Sequence, residues 1–406
     1  MSETGPIVII GGGHAAAQLC AGLVDAGQGA LVHLVMEETE LPYQRPPLSK
    51  AFLKSPQEGL QTLRAEAWFT AGGITLHRRD AALAVDRTRR SVRLRSGAEL
   101  PYAQLVLATG ARVRSVLGFA HEHLANVAAL RSAADAQRLR DPLHAAGHVT
   151  VLGGGFIGLE IAATARVLGK TVTVLEAAPR LLMRSVSPEL AEHALQTHRA
   201  AGIDIRLGVA VGEFELQGDC VAGLKVNGAR ESVELLVLGI GAVPEYALAS
   251  AAGLRCGNGI EVDACMRTSD PQILAVGDCA SFPDARSGQR LRLESVQNAN
   301  DQARTAVATL LGRDEPHAAL PWFWSEQGSL RLQMAGLMPA EGQRFRRDGA
   351  TPASFSILHY VGTQLVCVES ANAPLDHMAA RKLLEAGKSP DAALACDASV
   401  PLKSLV

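Results

Sequence analysis

The chain has 406 residues, which is too long for one ordinary hydrophobic core and enough for two or three domains. Hydrophobic residues make up 48% of the chain and charged residues 20%, a composition typical of a globular protein. The formal net charge of −2 gives no global indication of binding to nucleic acid or to an anionic membrane surface.

The N-terminal residues have neither the basic region nor the apolar stretch of a signal peptide, and no run of 18 apolar residues follows, so we expect no secretion and no membrane span. The seven cysteines are scattered without a CxxC or CxxxxC spacing. This pattern predicts a reduced, cytoplasmic protein whose cysteines act as small buried side chains, with no metal or iron–sulfur site of its own.

Two apolar runs flank a glycine cluster at the start of the chain. Residues 6–13 read PIVIIGGG, residues 14–26 have the spacing of a helix, and residues 30–36 form the second apolar run. The pattern predicts a strand, a tight turn, a helix and a second strand, which is the beginning of a nucleotide-binding unit.

The glycine cluster matches the GxGxxG/A fingerprint through Gly11, Gly12, Gly13, His14, Ala15 and Ala16. The first glycine permits the turn, the second lets the backbone approach a pyrophosphate, and the small third residue lets helix and strand pack closely. The phosphates then lie at the positive end of the helix. Glu37 ends the second strand, where an acid can bind ribose hydroxyls, whereas we interpret His14 as structural.

The same pattern restarts at residues 148–155, HVTVLGGG, followed by a helix over 156–168 and a strand over 170–176. Its fingerprint consists of Gly153, Gly154, Gly155, Phe156, Ile157 and Gly158. Glu176 ends the second strand and predicts NADH over NADPH, because a carboxylate that binds a free 2′-hydroxyl repels a 2′-phosphate. Arg180 and Arg184 follow closely and leave a phosphate-binding alternative open.

Two fingerprints in one chain imply two dinucleotides and a hydride passed between them, of which the natural pair is mobile NADH and tightly held FAD. Two strand ends support FAD. Ala108, Thr109 and Gly110 close the run LVLATG, after an alternating stretch over 78–106 that predicts a small antiparallel insertion. Gly277 and Asp278 close the run over 273–278, where an aspartate can accept a hydrogen bond from a ribityl hydroxyl.

The order of these segments predicts an α/β chain with two Rossmann-like dinucleotide-binding domains, the second inserted into the first. The FAD-binding domain would take residues 1–111 and 242–321, and the NAD-binding domain residues 112–241, ending in a buried strand over 234–241. From 322 the pattern changes to a β-hairpin over 355–370 and a helix over 376–386, which predicts an α+β C-terminal domain over 322–406.

A cysteine beside the flavin would indicate a disulfide or peroxide reductase, in which that thiol relays electron pairs. No cysteine lies between Cys20 and Cys220, and the stretch after Glu37 reads RPPLSK instead. The sequence therefore favours a flavin that gives electrons directly to an outside acceptor.

Four motifs resemble one known family over essentially the whole chain: RPPLSK at 45–50, GGGFIGLE at 153–160, ESVQN at 294–298 and PWFWSEQ at 321–327. The chain is similar to the putidaredoxin reductase group, which includes the ferredoxin reductases of biphenyl- and toluene-type aromatic dioxygenases. The resemblance implies a glutathione-reductase-like fold, an NADH:ferredoxin oxidoreductase with FAD, and a 2Fe-2S ferredoxin partner that serves an oxygenase in aromatic hydrocarbon catabolism.

The resemblance also implies roles for single residues. For FAD these are Glu37 and Glu38 at the adenosine ribose, Arg45 and Lys50 along the flavin, Arg131, Asp278 at the ribitol, and Val296 at the isoalloxazine edge. Further cofactor-binding residues are expected at Ala82, Gly241, Glu294 and Ser295, and Arg184 is counted with them. Phe156 and Glu160 would lie beside the nicotinamide, and Trp324 between flavin and protein surface. We expect Lys50 to stabilise negative charge on the reduced flavin and Glu160 to be its ion-pair partner, since an unpaired buried charge is costly.

Docking of an acidic ferredoxin is expected at Arg304, Arg381 and Lys403. Two positions depart from the family pattern: Ala16 stands where many relatives have glycine, and Gln333 stands where putidaredoxin reductase suggests a basic residue. A rubredoxin, a quinone or a monodehydroascorbate radical stays open as the acceptor, and so does a redox-signalling role of the apoptosis-inducing-factor type. A monomer or a homodimer is expected.

Overall fold

The structure is a computed structural model that describes residues 5–114 and 123–406. Its strands, in chain order, are β1 Ile7–Ile10, β2 Val32–Val35, β3 Thr75–His77, β4 Ala82–Asp86, β5 Ser91–Leu94, β6 Glu99–Pro101, β7 Gln104–Leu107, β8 Ala111–Val113, β9 Val127–Ala129, β10 His148–Leu152, β11 Thr171–Glu176, β12 Asp204–Leu207, β13 Val211–Gln217, β14 Cys220–Val226, β15 Ala229–Ser232, β16 Leu235–Leu238, β17 Ala242–Pro244, β18 Cys256–Gly257, β19 Gly259–Glu261, β20 Ile273–Ala275, β21 Ala280–Pro283, β22 Arg290–Leu291, β23 Trp322–Gln327, β24 Leu330–Gly336, β25 Gln343–Asp348, β26 Phe355–Val361 and β27 Gln364–Ala371. Its α-helices are α1 His14–Asp25, α2 Ala51–Lys54, α3 Glu66–Ala71, α4 Ala133–Ala145, α5 Phe156–Val167, α6 Pro188–Ala200, α7 Ala247–Ala251, α8 Val296–Leu310, α9 Pro374–Glu385 and α10 Ala392–Cys396.

The described residues form two compact units. The first takes in residues 5–44, 60–112 and 242–319, and the second takes in 45–59, 113–114, 123–241 and 320–406. Each unit is built on one parallel sheet.

In the first unit the parallel sheet has the strand order β20-β7-β1-β2-β3. The central strand β1 aligns Ile7 with Val32 on one side and with Gln104 on the other. Val8 and Ile9 of this strand are fully buried, as expected for a parallel strand covered on both faces. The predicted antiparallel insertion is present as the sheet β4-β5-β6, while β18, β19, β21 and β22 form a further small sheet.

In the second unit the parallel sheet has the order β12-β11-β10-β16-β9. Between β12 and β16 the chain forms a separate antiparallel sheet in the order β13-β14-β15. From Trp322 onward the chain forms a five-stranded antiparallel sheet in the order β23-β24-β27-β26-β25. Helix α9 buries Ala380 and Leu383 against this sheet's apolar residues, among them Val368. Two parallel sheets, each preceded or joined by a predicted glycine turn, and a β-rich C-terminal part with a packed helix confirm the predicted α/β fold class.

The segment that carries the RPPLSK motif packs in the second unit. Helix α2, which follows the motif, lies against α4: Arg140 of α4 stacks on the Phe52 ring at 3.7 Å, and His144 is hydrogen-bonded to the Leu53 carbonyl at 2.8 Å. The Thr164 hydroxyl of α5 donates to the Ser49 carbonyl at 2.8 Å. These contacts fix Lys50 relative to α5.

Candidate functional site

The first glycine turn, in the first unit, joins β1 to α1 with the backbone that the fingerprint requires. Gly11 has a φ of +130°, and a Cβ there would lie 2.1 Å from the Ala108 carbonyl oxygen, so only glycine fits. Gly13 precedes α1 and has no side chain to cap it, and the first turn has no acidic residue. Such a helix start suits a phosphate group.

The acids after β2 already have protein partners. Glu37 forms an ion pair with Arg95 at 2.9 Å in which both side chains are more than half exposed. The Tyr43 hydroxyl donates to Glu38 at 2.6 Å. His14 is buried, and its Nε2 lies 3.1 Å from the Gln44 amide oxygen. Next to it, Ala15 and Ala16 are buried inside α1.

The other expected FAD residues of the first unit lie at strand ends or helix starts. The Thr109 hydroxyl donates to the Glu245 carbonyl at 2.5 Å, and Gly110 follows with a φ of +72°. The Gly277 amide donates to Gln302 Oε1 at 2.7 Å, and Asp278 lies in the short 3-10 turn that begins there. The remaining members of this group are Ala82 at the start of β4, Ala108 after β7, Glu294 paired with Arg292, Ser295 as the side-chain cap of α8, and Val296 as its first residue.

The second glycine turn, in the second unit, repeats the geometry of the first. Gly153 has a φ of +102°, and a Cβ there would lie 2.4 Å from the Gly239 carbonyl oxygen. Gly155 precedes α5 and again has no side chain to cap it. Glu176 reaches back to this turn, since its Oε2 accepts from the Gly154 amide at 2.6 Å and its Oε1 accepts from the Ala178 amide at 2.7 Å. Glu176 therefore lies directly beside the second glycine turn, where the fingerprint predicts the ribose of a dinucleotide.

The two arginines that follow Glu176 have different environments. Arg180 is half-buried and donates to the carbonyls of Val186 at 2.8 Å and Met183 at 2.7 Å. Arg184 is exposed, and its guanidinium lies 4.0 Å from the position that a Cβ on Gly241 would take. At the helix start itself, Ile157 is 46% exposed.

The predicted ion pair between Lys50 and Glu160 is present, with the Lys50 Nζ 2.6 Å from Glu160 Oε2. The same oxygen accepts from the Ser49 hydroxyl at 2.5 Å, and Oε1 accepts from the Ser325 hydroxyl at 2.7 Å. Glu160 is 5% exposed, so three donors surround a buried carboxylate. Lys50 also donates to the Pro46 carbonyl at 3.1 Å.

A chain of hydrogen bonds that the sequence did not predict runs from Glu160 through Ser325 and Gln327 to His198. The Gln327 amide nitrogen donates to the Ser325 hydroxyl at 3.1 Å, and the Gln327 oxygen lies 2.8 Å from His198 Nε2. Burial lowers the pKa of His198 below its ordinary value, so a neutral imidazole with a proton on Nε2 fits this position. The motif PWFWSEQ contained the signal, because Ser325 and Gln327 are its two uncharged polar members and lie two positions apart, on one face of a strand.

The tryptophans of the same motif lie on the other face of β23. Trp322 and Trp324 have ring centroids 5.6 Å apart, and the Arg381 guanidinium lies 4.1 Å from the centre of the Trp322 ring. The ring centroids of His377, on α9, and Trp322 are 5.8 Å apart. Burial, together with the charges of Arg381 and Arg331, lowers the pKa of His377 to about 4. On the opposite face, Phe323 packs edge-on against Phe156 at 4.5 Å.

Two other residues expected at the flavin contact each other. Arg45 Nη1 donates to the Arg131 carbonyl at 2.7 Å, just before the capping box that Ser132 and Asp135 form at the start of α4. Gln333, which departs from the family pattern, is buried opposite Trp324.

The three expected docking cations differ in how far they are already paired. Arg304 is 57% exposed and bonded to Asp301 at 2.5 Å along α8. Arg381 covers Trp322 and lies 3.5 Å from Glu385. Lys403 is exposed and has no ion-pair partner in the described part of the chain.

All seven cysteines are free thiols. The prediction that they are buried is confirmed for Cys20, Cys265, Cys279 and Cys367 and is wrong for Cys220, Cys256 and Cys396, which are partly exposed. Burial raises the pKa of Cys20 to about 12 and also raises the pKa of the fully buried Cys279. Such thiols are poor electron relays. Within residues 5–114 and 123–406, His, Cys, Asp and Glu side chains do not form a group of three that could hold a metal ion. A search of the same residues found no helix with the length and hydropathy needed to cross a membrane.

Comparison with known proteins gives matches along nearly the whole chain. The family model for pyridine nucleotide-disulphide oxidoreductases matches residues 5–303, and the model for the reductase C-terminal domain matches residues 322–406. Rhodocoxin reductase from Rhodococcus erythropolis is 41% identical over 93% of this chain and 89% of its own. The ferredoxin–NAD(+) reductase component of the anthranilate 1,2-dioxygenase system from Burkholderia cepacia is 38% identical over 99% of each chain. The crystal structure of the covalent putidaredoxin reductase–putidaredoxin complex matches with a TM-score of 0.94 at 37% identity, over 99% of this chain and 98% of that one.

Proposed function

Since the chain belongs to the pyridine nucleotide-disulphide oxidoreductase family and carries a reductase C-terminal domain, we propose that it is an NADH-dependent ferredoxin reductase containing FAD. The observation that carries the proposal is the pair of glycine turns, each of which opens a helix that no side chain caps at its first residue. Two dinucleotides in one chain imply electron transfer between them. FAD held at the first turn would supply an acceptor for the hydride of NADH and a donor of single electrons.

The first turn is assigned to FAD, within a domain split over 1–111 and 242–321. Its Gly11 and Gly13 allow the backbone to approach the pyrophosphate, and Asp278 follows a strand end where a ribityl hydroxyl is recognised. The absence of a histidine or cysteine attachment signature supports non-covalent FAD. Acid precipitation of the protein should therefore release the flavin into the supernatant, whereas flavin retained in the pellet would contradict this assignment.

The second turn is assigned to NADH, within a domain over 112–241. The two Glu176 oxygens already accept from the Gly154 and Ala178 amides, which holds the carboxylate at the turn. A ribose with a free 2′-hydroxyl can donate to that carboxylate, and a 2′-phosphate would be repelled by it. Arg180 cannot compensate while its guanidinium is bonded to Val186 and Met183.

Lys50 is assigned to the stabilisation of negative charge on the reduced flavin. Its ammonium group is held by Glu160, Ser49 and Pro46, so its position is fixed before a substrate binds. A pre-organised charge stabilises a transition state more effectively than one that must first reorient. Glu160 is the positioning partner in this assignment, because its carboxylate accepts three hydrogen bonds from donors that hold it in place.

The acceptor in this proposal is an acidic 2Fe-2S ferredoxin that serves an oxygenase. The relatives that support it are a rhodocoxin reductase and the ferredoxin–NAD(+) reductase component of a dioxygenase system. Trp324 is assigned to the electron path, and Arg304, Arg381 and Lys403 to docking. The buried thiols, with their raised pKa values, do not suit a disulfide relay.

The test measures NADH-driven reduction of cytochrome c by the holoprotein, with and without purified 2Fe-2S ferredoxins. We expect a ferredoxin to raise the rate many-fold. A rate that depends on a rubredoxin, a quinone or a monodehydroascorbate radical instead would overturn the ferredoxin assignment. Slow NADH oxidation without stimulation by any acceptor would favour the signalling role and reject the enzyme proposed here.

A further inference from the structure

The segment over residues 177–187 forms one wall of the second glycine turn. Its Leu182 amide donates to the Gly154 carbonyl at 3.1 Å. The Leu181 side chain fills the space beside Gly154, where a Cβ would lie 2.5 Å from Leu181 Cδ2. Leu182 itself has a φ of +51°, a conformation that costs free energy for a non-glycine residue. The segment is therefore held in place by its contacts.

Arg180 folds back onto its own segment, where two backbone carbonyls accept hydrogen bonds from its guanidinium. Its Nη1 donates to the Val186 carbonyl and its Nη2 to the Met183 carbonyl. Both terminal nitrogens of the guanidinium are thus engaged on the protein. A guanidinium released from these carbonyls would be the natural ligand for a 2′-phosphate at this ribose position.

The peptide between Val186 and Ser187 has a partner on each side. Its carbonyl holds Arg180, and its N–H donates to Glu369 Oε1 at 2.9 Å. Glu369 comes from strand β27 of the C-terminal sheet and is fully buried, and its Oε2 accepts from His359 Nε2 at 2.8 Å. Because a peptide group is planar, a carboxylate that fixes the N–H also fixes the direction of the carbonyl.

We infer that Glu369 is a specificity-determining positioning residue for the pyridine nucleotide. Through the Val186–Ser187 peptide it keeps Arg180 folded onto the 177–187 segment and away from the 2′ position, so that Glu176 alone meets the ribose. The C-terminal sheet thereby protects the preference for NADH. The inference rests on the proposed function, in which NADH binds at the second glycine turn.

A second contact between the same sheet and α6 offers a matched control. Arg344 of β25 lies 3.0 Å from Glu189 in the first turn of α6, and both side chains are more than 40% exposed. Arg344→Gln removes this tie without touching the Val186–Ser187 peptide. If loosening of α6 alone changes the nucleotide preference, Arg344→Gln will change it too. If the effect is specific to Glu369, the nucleotide preference of Arg344→Gln will equal that of wild type.

The experiment compares wild type with Glu369→Gln, Arg344→Gln and the double variant Glu369→Leu/His359→Leu. The double variant removes the acceptor of the Ser187 amide and replaces a buried polar pair by apolar side chains, an exchange that proteins often tolerate. Hydrogen exchange at the Ser187 amide, the Kd of NAD+ and NADP+ by calorimetry, and kcat/KM for NADH and NADPH are measured. Glu369→Asp, which withdraws the carboxylate by one methylene group, serves if the double variant does not fold.

In the double variant we expect faster exchange at Ser187 and a rise of about tenfold in the NADPH-to-NADH ratio of kcat/KM, which corresponds to about 1.4 kcal/mol. The rise should come from tighter NADP+ binding, with kcat at saturating NADH unchanged. Adding Arg180→Leu to the double variant should abolish the rise in the NADPH-to-NADH ratio. Glu369→Gln should keep most of the NADH preference, because its amide oxygen can still accept from the Ser187 amide. Arg344→Gln should have the same nucleotide ratio as wild type.

Faster exchange at Ser187 with an unchanged nucleotide ratio would show that Glu369 only stabilises the fold, and would overturn the inference. A rise that persists after Arg180→Leu would also overturn it. Failure of the proposed function looks different: wild type itself would then use neither nucleotide, or would use both equally.

Discussion

Glu160→Gln is predicted to destabilise the protein strongly, because the buried carboxylate accepts hydrogen bonds on both oxygens. Oε2 faces the Lys50 ammonium and the Ser49 hydroxyl, and Oε1 faces the Ser325 hydroxyl. An amide can present an acceptor to only one of these sides. If the NH2 group of the glutamine takes the place of Oε2, it meets the Lys50 ammonium, which is itself a donor. If it takes the place of Oε1, it meets the Ser325 hydroxyl, which already accepts from Gln327.

The size of the effect follows from how far each partner is buried. Removing one member of a buried ion pair costs about 3–5 kcal/mol, since the other charge is left without compensation. The side chain of Lys50 is 19% exposed and keeps the Pro46 carbonyl and the Ser49 hydroxyl as acceptors. We therefore expect the lower end of that range, a loss of about 3 kcal/mol in the free energy of unfolding.

The chain provides a matched control in the ion pair between Lys225 and Glu213. It has the same 2.6 Å separation between nitrogen and oxygen, but its side chains are 42% and 77% exposed. Exposed pairs of this kind contribute little to stability because water screens them. Glu213→Gln should consequently leave the unfolding curve unchanged within error.

The assay is urea unfolding of the flavin-free protein, followed by tryptophan fluorescence. Two of the three tryptophans, Trp322 and Trp324, belong to the unit that contains Glu160, so fluorescence reports chiefly on that unit. Lys50→Met and the double variant complete a thermodynamic cycle. If Glu160→Gln shifts the transition no more than Glu213→Gln, or if the two single effects simply add, the ion pair is not the stabilising interaction described here.

Three further predictions concern cofactor choice, pH and docking. Glu176→Ala should lower the NADH-to-NADPH ratio of kcat/KM at least several-fold, and an unchanged ratio would show that another group selects the nucleotide. The pKa of His377 is about 4 in the folded protein, below its ordinary value, so folding favours the neutral ring. The contribution of His377 to the free energy of unfolding should therefore be fully present above about pH 6.5 and should fall by about 2 kcal/mol toward pH 4. In His377→Asn the unfolding midpoint should fall less between about pH 6.5 and about pH 4 than in wild type. If the midpoint falls equally in both proteins, other groups cause the pH dependence. Ferredoxin turnover should drop as salt rises, since exposed charges are screened over about 8 Å at physiological ionic strength, while flavin reduction by NADH should not. Charge reversal at Arg304, Arg381 and Lys403 should raise the KM for ferredoxin, and intact turnover in the triple variant would place docking elsewhere.

The two glycine turns could be predicted from the sequence because their requirements are local. A glycine at Gly11 or Gly153 follows from the positive φ and from the carbonyl oxygen that a Cβ would meet. The predicted helices over 14–26 and 156–168 end within one residue of α1 and α5. What hydrophobic periodicity could not show is the carbonyl itself, which comes from Ala108 in one turn and from Gly239 in the other.

Strand ends were predicted less well where the backbone changes direction. The apolar run over 273–278 indicated one strand, but β20 ends at Ala275, because Gly277 has a φ of +79° and opens a 3-10 turn. The predicted strand over 30–36 begins later for a similar reason, since Gly29–Leu31 form a 3-10 turn before β2. Apolar composition continues through such turns and does not report the dihedral angles.

Residues that act through a partner far away in the chain were beyond the reach of sequence patterns. The Lys50–Glu160 pair could be predicted only because a family resemblance and the cost of an unpaired charge pointed to the same acid. His198 and Gln327 lie 129 positions apart, and neither α6 nor β23 alone indicates that they meet. Glu369 looked like one polar residue in a hairpin, and only the alignment of β27 with the start of α6 shows its contact with Ser187.

The alternation of side chains along β23 explains why its short motif combines aromatic and small polar residues. Neighbouring residues of a strand point to opposite faces, so Phe323, Ser325 and Gln327 share one face while the two tryptophans share the other. The first face meets Phe156, Glu160 and His198. Any substitution that shifts the register by one residue would exchange the two sets, placing an indole against the Glu160 carboxylate and a hydroxyl beneath Arg381. The strand can therefore place Ser325 at the Glu160 carboxylate on one side and the two tryptophans on the other only if the order of its residues is kept.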